Sequence, residues 1–270
     1  MPKPKTNRRY SYKEFFAPDK LKPILDKIWV FETAAMTGSD RHFHLTTDYT
    51  ATLIFIFPRN VNRISVYLSG PNSQNIPFEN SPELIAIGCR FTPLAAHQLF
   101  GIGPELTINK AVKLSEVLPA PLFRKFRSAL LSEKLLRGKM RVINQLLTGL
   151  HNSVTIPGED IINEIIKKIL MSNGNTKLED LYSELSMSIR QLQRKFNKRT
   201  GLSPKEFCRI VRFHNVTRKL MKNKFPHFDV LVESGYYDQS HYYREFKEFT
   251  GMLPAIYVTR QRNIKLNNLI

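Results

Sequence analysis

Apolar positions in the first hundred residues fall in short runs that are typical of β-strands. The runs are rich in aromatic and β-branched residues, and proline, glycine or asparagine separates them. They span 27–32, 51–57, 63–68 and 84–91. A short helix is predicted to begin at Thr92 and to end at Gly101. This part of the chain is therefore predicted to be one β-rich domain.

Further along, the spacing of the apolar positions becomes helical. Apolar residues recur three and four positions apart before and after Gly138, which predicts a helical connector. A polar break with Pro157 and Gly158 marks a domain boundary, and an isoleucine-rich helix follows it over 159–171. The predicted fold is α+β, with a disordered basic arm over 1–9, a β-rich domain over 10–110, the connector over 111–157, an all-α domain over 158–259 and a basic tail over 260–270.

The last third of the chain repeats itself at an offset of about fifty residues. Each copy consists of a scaffold helix, a short polar break, a basic helix, and then Thr-Gly and a proline. The scaffold helices are predicted at 177–185 and 228–233. The matching pairs are Leu192 and Tyr242, Arg194 and Arg244, Phe196 and Phe246, Thr200 and Thr250, and Pro204 and Pro254. The pattern predicts two helix-turn-helix units in tandem.

The second helix of each unit has a clear beginning. Ser188 is predicted as an N-cap, and Gln191 three residues later completes a capping box, worth about 1 kcal/mol for the cap. Asp238 is predicted to cap the helix of the second unit, where its negative charge suits the positive end of the helix dipole. The predicted buried residues are Ile189, Leu192 and Phe196 in the first unit and Tyr242, Phe246 and Phe249 in the second.

A long helix is predicted between the two units. Ser203 and Glu206 form a second capping box around Pro204, and the apolar spacing continues to about Met221. A rigid spacer matters because two recognition helices can enter successive major-groove segments only if they are held roughly 34 Å apart.

The opposite faces of the two basic helices carry side chains that suit a major groove. Arginine pairs with guanine through two hydrogen bonds, and glutamine or asparagine pairs with adenine in the same way. The predicted DNA-contacting residues are Arg190, Gln193, Arg194, Asn197 and Lys198 in the first unit and Gln239, Ser240, Tyr243, Arg244 and Lys247 in the second.

Composition supports a polyanionic partner. The net charge of the 270 residues is +18, so nucleic acid is the first expectation and an anionic membrane surface the second. No run of about eighteen apolar residues predicts a membrane span. The basic start lacks the apolar segment of a secretory signal, and the two cysteines lie far apart, which favours a reducing cytoplasm.

Other functional classes find less support in the sequence. His42 and His44 would project to one side of a strand as metal ligands do, but packing or exposed histidines are favoured. Gly101 and Gly103 form only a fragment of a nucleotide-binding loop, because Pro104 follows them. The chain is therefore predicted not to be an enzyme and to hold no metal or cofactor.

The stretch from about 177 to 257 resembles the AraC/XylS family of bacterial transcription regulators. The similarity is most evident from Glu233 to Lys247, which reads Glu-Ser-Gly-Tyr-Tyr-Asp-Gln-Ser-His-Tyr-Tyr-Arg-Glu-Phe-Lys. The chain has Tyr182 and Val232 where the family usually has alanine. The resemblance implies two helix-turn-helix units joined by a long helix, double-stranded DNA as the partner of the residues above except Lys198, and RNA polymerase as a further partner.

The front half resembles an uncharacterised domain that is often found ahead of this DNA-binding module. The similarity lies in 46–57, in Gly70-Pro71 and in 87–101, and the usual Pro-Asp-Gly is Thr47-Asp48-Tyr49 here. The resemblance implies that this domain senses a small-molecule effector or mediates homodimer formation. The sequence thus predicts a cytoplasmic, sequence-specific DNA-binding transcription regulator. The alternative is a helical adaptor that binds an acidic protein.

Overall fold

The structure is a computed structural model of the chain. It describes residues 10–33, 42–45, 47–59, 61–79, 83–154, 161–182, 187–222 and 228–259. The predicted basic arm and basic tail lie outside these residues. So do the predicted domain boundary around Pro157 and the end of the first predicted scaffold helix.

The N-terminal part is built on antiparallel strands. The strands of the described residues are β1 Tyr10–Phe16, β2 Leu25–Thr33, β3 His42–Leu45, β4 Thr52–Pro58, β5 Ser65–Ser69, β6 Ile76–Glu79, β7 Leu84–Phe91 and β8 Ala111–Lys113. Six of them form one sheet in the order β1-β2-β7-β4-β5-β8, and β3 pairs with β6. The apolar strands β7 and β4 lie at its centre, where Phe55 pairs with Ile87.

Four strands confirm the sequence prediction, namely β2, β4, β5 and β7. Each of these runs contributes several buried apolar residues to the core, so its composition is strongly apolar. β1, β3, β6 and β8 were not predicted. β1 is an edge strand with several exposed side chains, and β8 has only three residues, so neither carries a clear alternation. β8 also lies inside the segment predicted as connector.

Helices of the predicted connector cover one face of the sheet. They are α2 Ala120–Ser132 and α3 Leu136–Ser153, which follow the short helix α1 Ala95–Phe100. Phe126 of α2 meets Phe55 of β4 with ring centroids 5.7 Å apart, and Leu147 of α3 is fully buried in the same core. A sheet buries one apolar face only if another layer covers it. The segment therefore completes the core of the β-rich domain, a role that its periodicity alone did not indicate.

The C-terminal part is helical, as predicted. Its helices are α4 Ile161–Met171, α5 Leu178–Tyr182, α6 Ile189–Thr200, α7 Pro204–Lys222, α8 Phe228–Glu233 and α9 Gln239–Thr250, and a last helical segment spans 254–259. A second core joins them, with Ile169, Phe196, Phe207 and Phe246 fully buried. The α+β class, the two-unit organisation and the long joining helix are thus confirmed.

The turn before β4 joins the two parts of the molecule. The hydroxyl of Thr47 donates to the carbonyl oxygen of Phe249 at the end of α9 (3.1 Å). Nε2 of His214, on α7, donates to the carbonyl oxygen of Thr47 (2.8 Å). The ring of Tyr49 packs against Phe207, also on α7, with centroids 5.1 Å apart. The β-rich domain therefore contacts both the long helix and the second helix-turn-helix unit.

A buried ion pair fixes this turn. Nε and Nη2 of Arg90 donate to the two carboxylate oxygens of Asp48 (2.8 and 2.7 Å), and the guanidinium also stacks over Tyr49. Burial would raise the pKa of Asp48, but the adjacent Arg90 outweighs it and lowers that pKa to about 2. Asp48 is therefore ionised at neutral pH, and it also accepts from the backbone N–H and hydroxyl of Thr50.

Replacing Leu147 by alanine tests whether α3 is part of the first core. Because Leu147 is fully buried, we expect Leu147→Ala to lower the free energy of unfolding by about 2–5 kcal/mol. Urea unfolding of the full chain measures this, with the exposed Gln145→Ala of the same helix as the control. Equal stability of the two variants would mean that α3 is a free connector.

Candidate nucleic-acid interface

The two basic helices, α6 and α9, end in the same way. Thr200 donates its hydroxyl to the carbonyl oxygen of Phe196 (2.8 Å) and accepts from the N–H of Leu202 (3.1 Å). Thr250 makes the same two bonds fifty residues later, to Phe246 (2.7 Å) and from Met252 (3.1 Å). The repeated threonine thus closes each helix at an equivalent point.

The glycine after each threonine allows this ending. Gly201 and Gly251 have φ values of 77° and 71°, a left-handed conformation that glycine adopts without steric cost. Their N–H groups donate to the carbonyl oxygens of Asn197 and Lys247, which would otherwise have no helical partner. The sequence repeat is therefore a repeat of local geometry.

The beginnings of the two helices are capped as the sequence predicts. The hydroxyl of Ser188 accepts from the N–H of Gln191, whose side chain accepts from the N–H of Ser188. The carboxylate of Asp238 accepts from the N–H of His241 (2.6 Å). Both helices are therefore fixed at both ends, which sets the positions of their outer side chains.

The inner faces of α6 and α9 are buried with one exception. Leu192 and Phe196 are almost completely inaccessible, and so are Tyr242, Phe246 and Phe249. Ile189 was predicted to be buried, but 53% of it is exposed. It is the first residue of α6 and has no preceding helical turn to cover it.

All ten predicted DNA-contacting residues are exposed on α6 and α9. On α6 these are Arg190, Gln193, Arg194, Asn197 and Lys198, and on α9 they are Gln239, Ser240, Tyr243, Arg244 and Lys247. The amide nitrogen of Gln239 donates to the hydroxyl oxygen of Tyr243 (3.0 Å). Among the described residues, no side-chain hydrogen bond or ion pair engages Arg194 or Arg244. The guanidinium groups of both are therefore available to a ligand.

The acidic side chains of α9 point away from this outer face. Nε of Arg209, on α7, donates to Glu245 (2.6 Å), and Nη2 donates to Glu248 (2.8 Å). Arg209 also stacks over the ring of Phe249. One guanidinium thus holds both carboxylates on the side of α7, so the outer face of α9 carries the positive charges of Arg244 and Lys247.

The long helix α7 holds both basic helices through aromatic contacts. Phe207 meets Phe196 of α6 with ring centroids 5.5 Å apart, and Phe213 meets Phe246 and Phe249 of α9, each at 5.2 Å. The 19 residues of α7 give it a length of about 28 Å. The capping box predicted at Ser203 is present, with Glu206 accepting from the N–H of Ser203 (2.8 Å).

Arg212 of α7 is a structural residue that sequence reasoning missed. Its Nη1 donates to the carbonyl oxygen of Gly235 in the turn of the second unit (2.9 Å), and its guanidinium lies over the ring of Tyr236. The arginine therefore fixes the turn that precedes α9. Periodicity gave no signal for it, because an arginine on a long basic helix reads as solvated surface.

A pocket lies where the two parts of the molecule meet. Tyr49, Pro71, His97, Thr200 and Phe207 are among the residues that line it. Nε2 of His97 is hydrogen-bonded to the hydroxyl of Thr107 (2.9 Å), and burial lowers the pKa of His97 to about 4. The imidazole is therefore neutral at neutral pH.

Within the described part of the chain, no group of three or more His, Cys, Asp or Glu could hold a metal ion. The side chains of His42 and His44 lie outside what the structure describes. None of the described helices has the length and apolar content that crossing a membrane requires.

Both parts of the chain match known domain families. Residues 181–260 match the model of a helix-turn-helix domain family, and residues 13–113 match a domain of unknown function, DUF6597. The second match corresponds to the uncharacterised domain that the front half resembles. No curated protein is significantly similar to this chain in sequence.

Solved structures that match this chain over most of its length include those of ToxT from Vibrio cholerae. One covers 92% of this chain and 98% of its own, with 13% identity and a TM-score of 0.48. Another, ToxT bound to an unsaturated fatty acid, covers 92% and 94%, with 13% identity and a TM-score of 0.43.

Replacing the repeated threonines tests whether the two helix ends are equivalent. Thr200→Val and Thr250→Val each leave a backbone N–H without its partner, so each should lower the free energy of unfolding by about 1–3 kcal/mol. Urea unfolding measures this. Thr148→Val, at a partly exposed position of α3, serves as the control and should change stability by less than about 0.5 kcal/mol. If either variant lowers the free energy of unfolding no more than the control does, the end of that helix does not depend on the threonine hydroxyl group.

Proposed function

Since this chain belongs to the AraC/XylS family of DNA-binding transcription regulators, we propose that α6 and α9 are its two recognition helices. Each helix enters one major-groove segment, and α7 holds the two helices on the same face of the duplex. A helix of this kind reads base edges with the side chains of its outer face. The DNA-binding role belongs to the family, and the assignment of individual residues is the proposal.

One observation supports this assignment most directly. Arg194 and Arg244 occupy equivalent positions on two helices with the same ending, and both are exposed without an acidic partner among the described residues. A structural arginine is normally paired, as Arg90 and Arg209 are here. An unpaired arginine at the same place in both units fits two hydrogen bonds to a guanine in each groove segment.

The flanking residues differ between the two units. In the fifty-residue repeat, Tyr243 of the second unit corresponds to Gln193 of the first, and Ser240 corresponds to Arg190. Glutamine can pair with adenine, whereas the Tyr243 ring offers an apolar surface for a thymine methyl group. We therefore expect two boxes that share a guanine contact and differ at neighbouring bases, rather than two copies of one box.

The lysines of the outer faces have a different role. Lys198 lies at the end of α6 and Lys247 lies near the end of α9. Ammonium groups neutralise phosphates without reading sequence, so they supply affinity that falls steeply with salt. Asn197 lies beside Lys198, where it can reach either a base edge or the backbone.

Further partners belong to the proposal and not to what the family match establishes. A small-molecule effector would bind the β-rich domain and act on α6 through the joint, because Phe207 contacts both Tyr49 and Phe196. RNA polymerase is the partner through which a bound regulator acts. The proposal includes homodimer formation through the β-rich domain. A bacterial DNA-binding regulator must have access to the chromosome, so the cytoplasm is the expected location. No catalytic step is proposed.

The helical adaptor that binds an acidic protein is not favoured by any comparison. Its binding would depend on apolar anchors, whereas the outer faces of α6 and α9 carry mostly charged and amide side chains. Substituting apolar instead of basic residues, and measuring how affinity changes with salt, distinguishes the adaptor from the regulator.

The double variant Arg194→Ala/Arg244→Ala tests the proposed function. Each substitution should weaken binding to the preferred DNA by about 1–3 kcal/mol and relax the preference at one base position. Selection of bound sequences from a random library by the full-length protein first identifies that DNA, and fluorescence anisotropy then measures affinity. Arg63→Ala removes an exposed arginine of the β-rich domain and is the matched control.

Two results would contradict the assignment. If each arginine variant weakens binding equally to all sequences, its arginine contacts phosphate and does not read a base. If the double variant binds like Arg63→Ala, the outer faces of α6 and α9 are not the DNA interface.

A further inference from the structure

Positive charge is unevenly distributed along the chain. The β-rich segment 10–110 has nine Lys/Arg and nine Asp/Glu, so it is neutral overall. The segment 111–157 has eight Lys/Arg against only two Asp/Glu, whereas the much longer segment 158–259 has seventeen against twelve. The segment that carries α2 and α3 therefore has a higher net positive charge than the DNA-binding domain, although it contains neither recognition helix.

Part of this charge has a structural role. Nζ of Lys139 donates to the carbonyl oxygens of Leu130 and Glu133 and lies over the ring of Phe57. Arg141 forms an ion pair with the side chain of Glu133 (2.6 Å). These two cations fix the turn between α2 and α3, and they need no external partner.

The remaining cations of the hairpin have no such explanation. They form what we call the basic hairpin face, which consists of Arg124, Lys125, Arg127, Lys134 and Arg137. All five are exposed, and among the described residues none of their side chains has a hydrogen bond or an ion pair. An ordinary solvated helix surface mixes the two signs of charge. This face carries one sign, so it fits a polyanionic ligand.

The hairpin presents this face on a rigid support. Phe126 and Leu130 of α2, and Ile143 and Leu147 of α3, are buried in the core of the sheet. Both helices therefore have a fixed inner side, and their cations remain in solvent. A rigid array of positive side chains loses less conformational freedom on binding than a flexible arm does.

We propose that the basic hairpin face binds the phosphate backbone of duplex DNA beside the two boxes that α6 and α9 read. This inference rests on the proposed function, because the recognition helices bring the duplex to the protein. Once they are bound, flanking phosphates are present at high effective concentration. Duplex DNA carries one negative charge per about 1.7 Å of its axis, so a flank offers a continuous anionic surface.

The chain ahead of the hairpin already contacts the first helix-turn-helix unit. A Cβ atom placed on Gly201, at the end of α6, would lie 3.0 Å from Pro104 and 3.1 Å from Ile108. Eleven residues, 109–119, lie between Ile108 and the start of α2 at Ala120, which limits the distance between Ile108 and Ala120 to about 40 Å. The hairpin therefore begins within roughly one turn of the duplex from the end of α6.

A second copy of this chain is a poor occupant for the same surface. A symmetric dimer interface brings the same patch of both subunits together. The five cations would then face five more cations, and like charges in direct opposition are unfavourable. Anionic membranes and acidic proteins have the required charge, so the experiment includes both of them.

The triple variant Arg124→Gln/Arg127→Gln/Arg137→Gln tests the proposal in the full-length protein. Its matched control is Lys20→Gln/Arg63→Gln/Lys110→Gln, which removes the same charge from exposed positions outside the hairpin. Fluorescence anisotropy measures binding over a range of salt concentrations. The probes are a duplex of about 20 bp that holds only the two selected boxes and one of about 40 bp with flanks on both sides.

We expect the parent and the control to bind the longer duplex more tightly than the shorter one. The triple variant should lose that advantage, with about tenfold weaker binding to the longer duplex and a salt slope smaller by about 2 to 3. Its preference for the boxes over random sequence should be unchanged, because phosphate contacts carry no sequence information.

Equal affinity and equal salt slope of the triple variant and its control on the longer duplex would overturn the proposal. So would a loss confined to phosphatidylserine-containing vesicles or to polyglutamate, since either result assigns the face to another anion. The Arg194→Ala/Arg244→Ala variant is measured in parallel. If it keeps full preference for the boxes, the proposed function fails, and the flank effect of the hairpin variant reports separately on the hairpin.

Discussion

The position of both basic helices depends on one helix, α7. Phe207 packs against Phe196 of α6, and Phe213 packs against the two phenylalanines of α9. The two phenylalanines of α7 lie about 9 Å apart along its axis, so they hold the two units at different points of one rigid element. Aromatic contacts of this kind combine burial with a preferred ring geometry. The spacing of the outer faces is therefore determined in the core, away from the proposed DNA-binding surface.

The same helix also carries the contact with the β-rich domain. Tyr49 of the β-rich domain packs on Phe207, the same ring that contacts Phe196 of α6. Asp48, next to Tyr49, is held by Arg90. A change at this turn would reach α6 through two aromatic rings. The joint is thus the place where an event in the first domain could alter how the proposed recognition helices are held, provided that a ligand binds the two arrangements of the joint unequally.

Sequence reasoning predicted most of the C-terminal domain and less of the β-rich domain. The repeat, the capping residues and the 3.6-residue periodicity are local signals, and they predicted α6, α7, α9 and the exposure of all ten outer residues. The burial of Ile189 was predicted wrongly, because periodicity indicates which face of a helix a residue lies on but not whether the end of that helix is covered. Packing between distant segments leaves no local signal, so the burial of α3 against the sheet and the role of Arg212 came only from the structure.

In the proposed complex, α7 holds two recognition helices on successive groove segments of one DNA face. Changing the distance between the two selected boxes tests this arrangement. Inserting about 5 bp, half a helical turn, should reduce affinity to that of a single box, because the second box then faces away from its helix. Unchanged affinity after this insertion would mean that the two helices are not held at a fixed separation, which the arrangement requires.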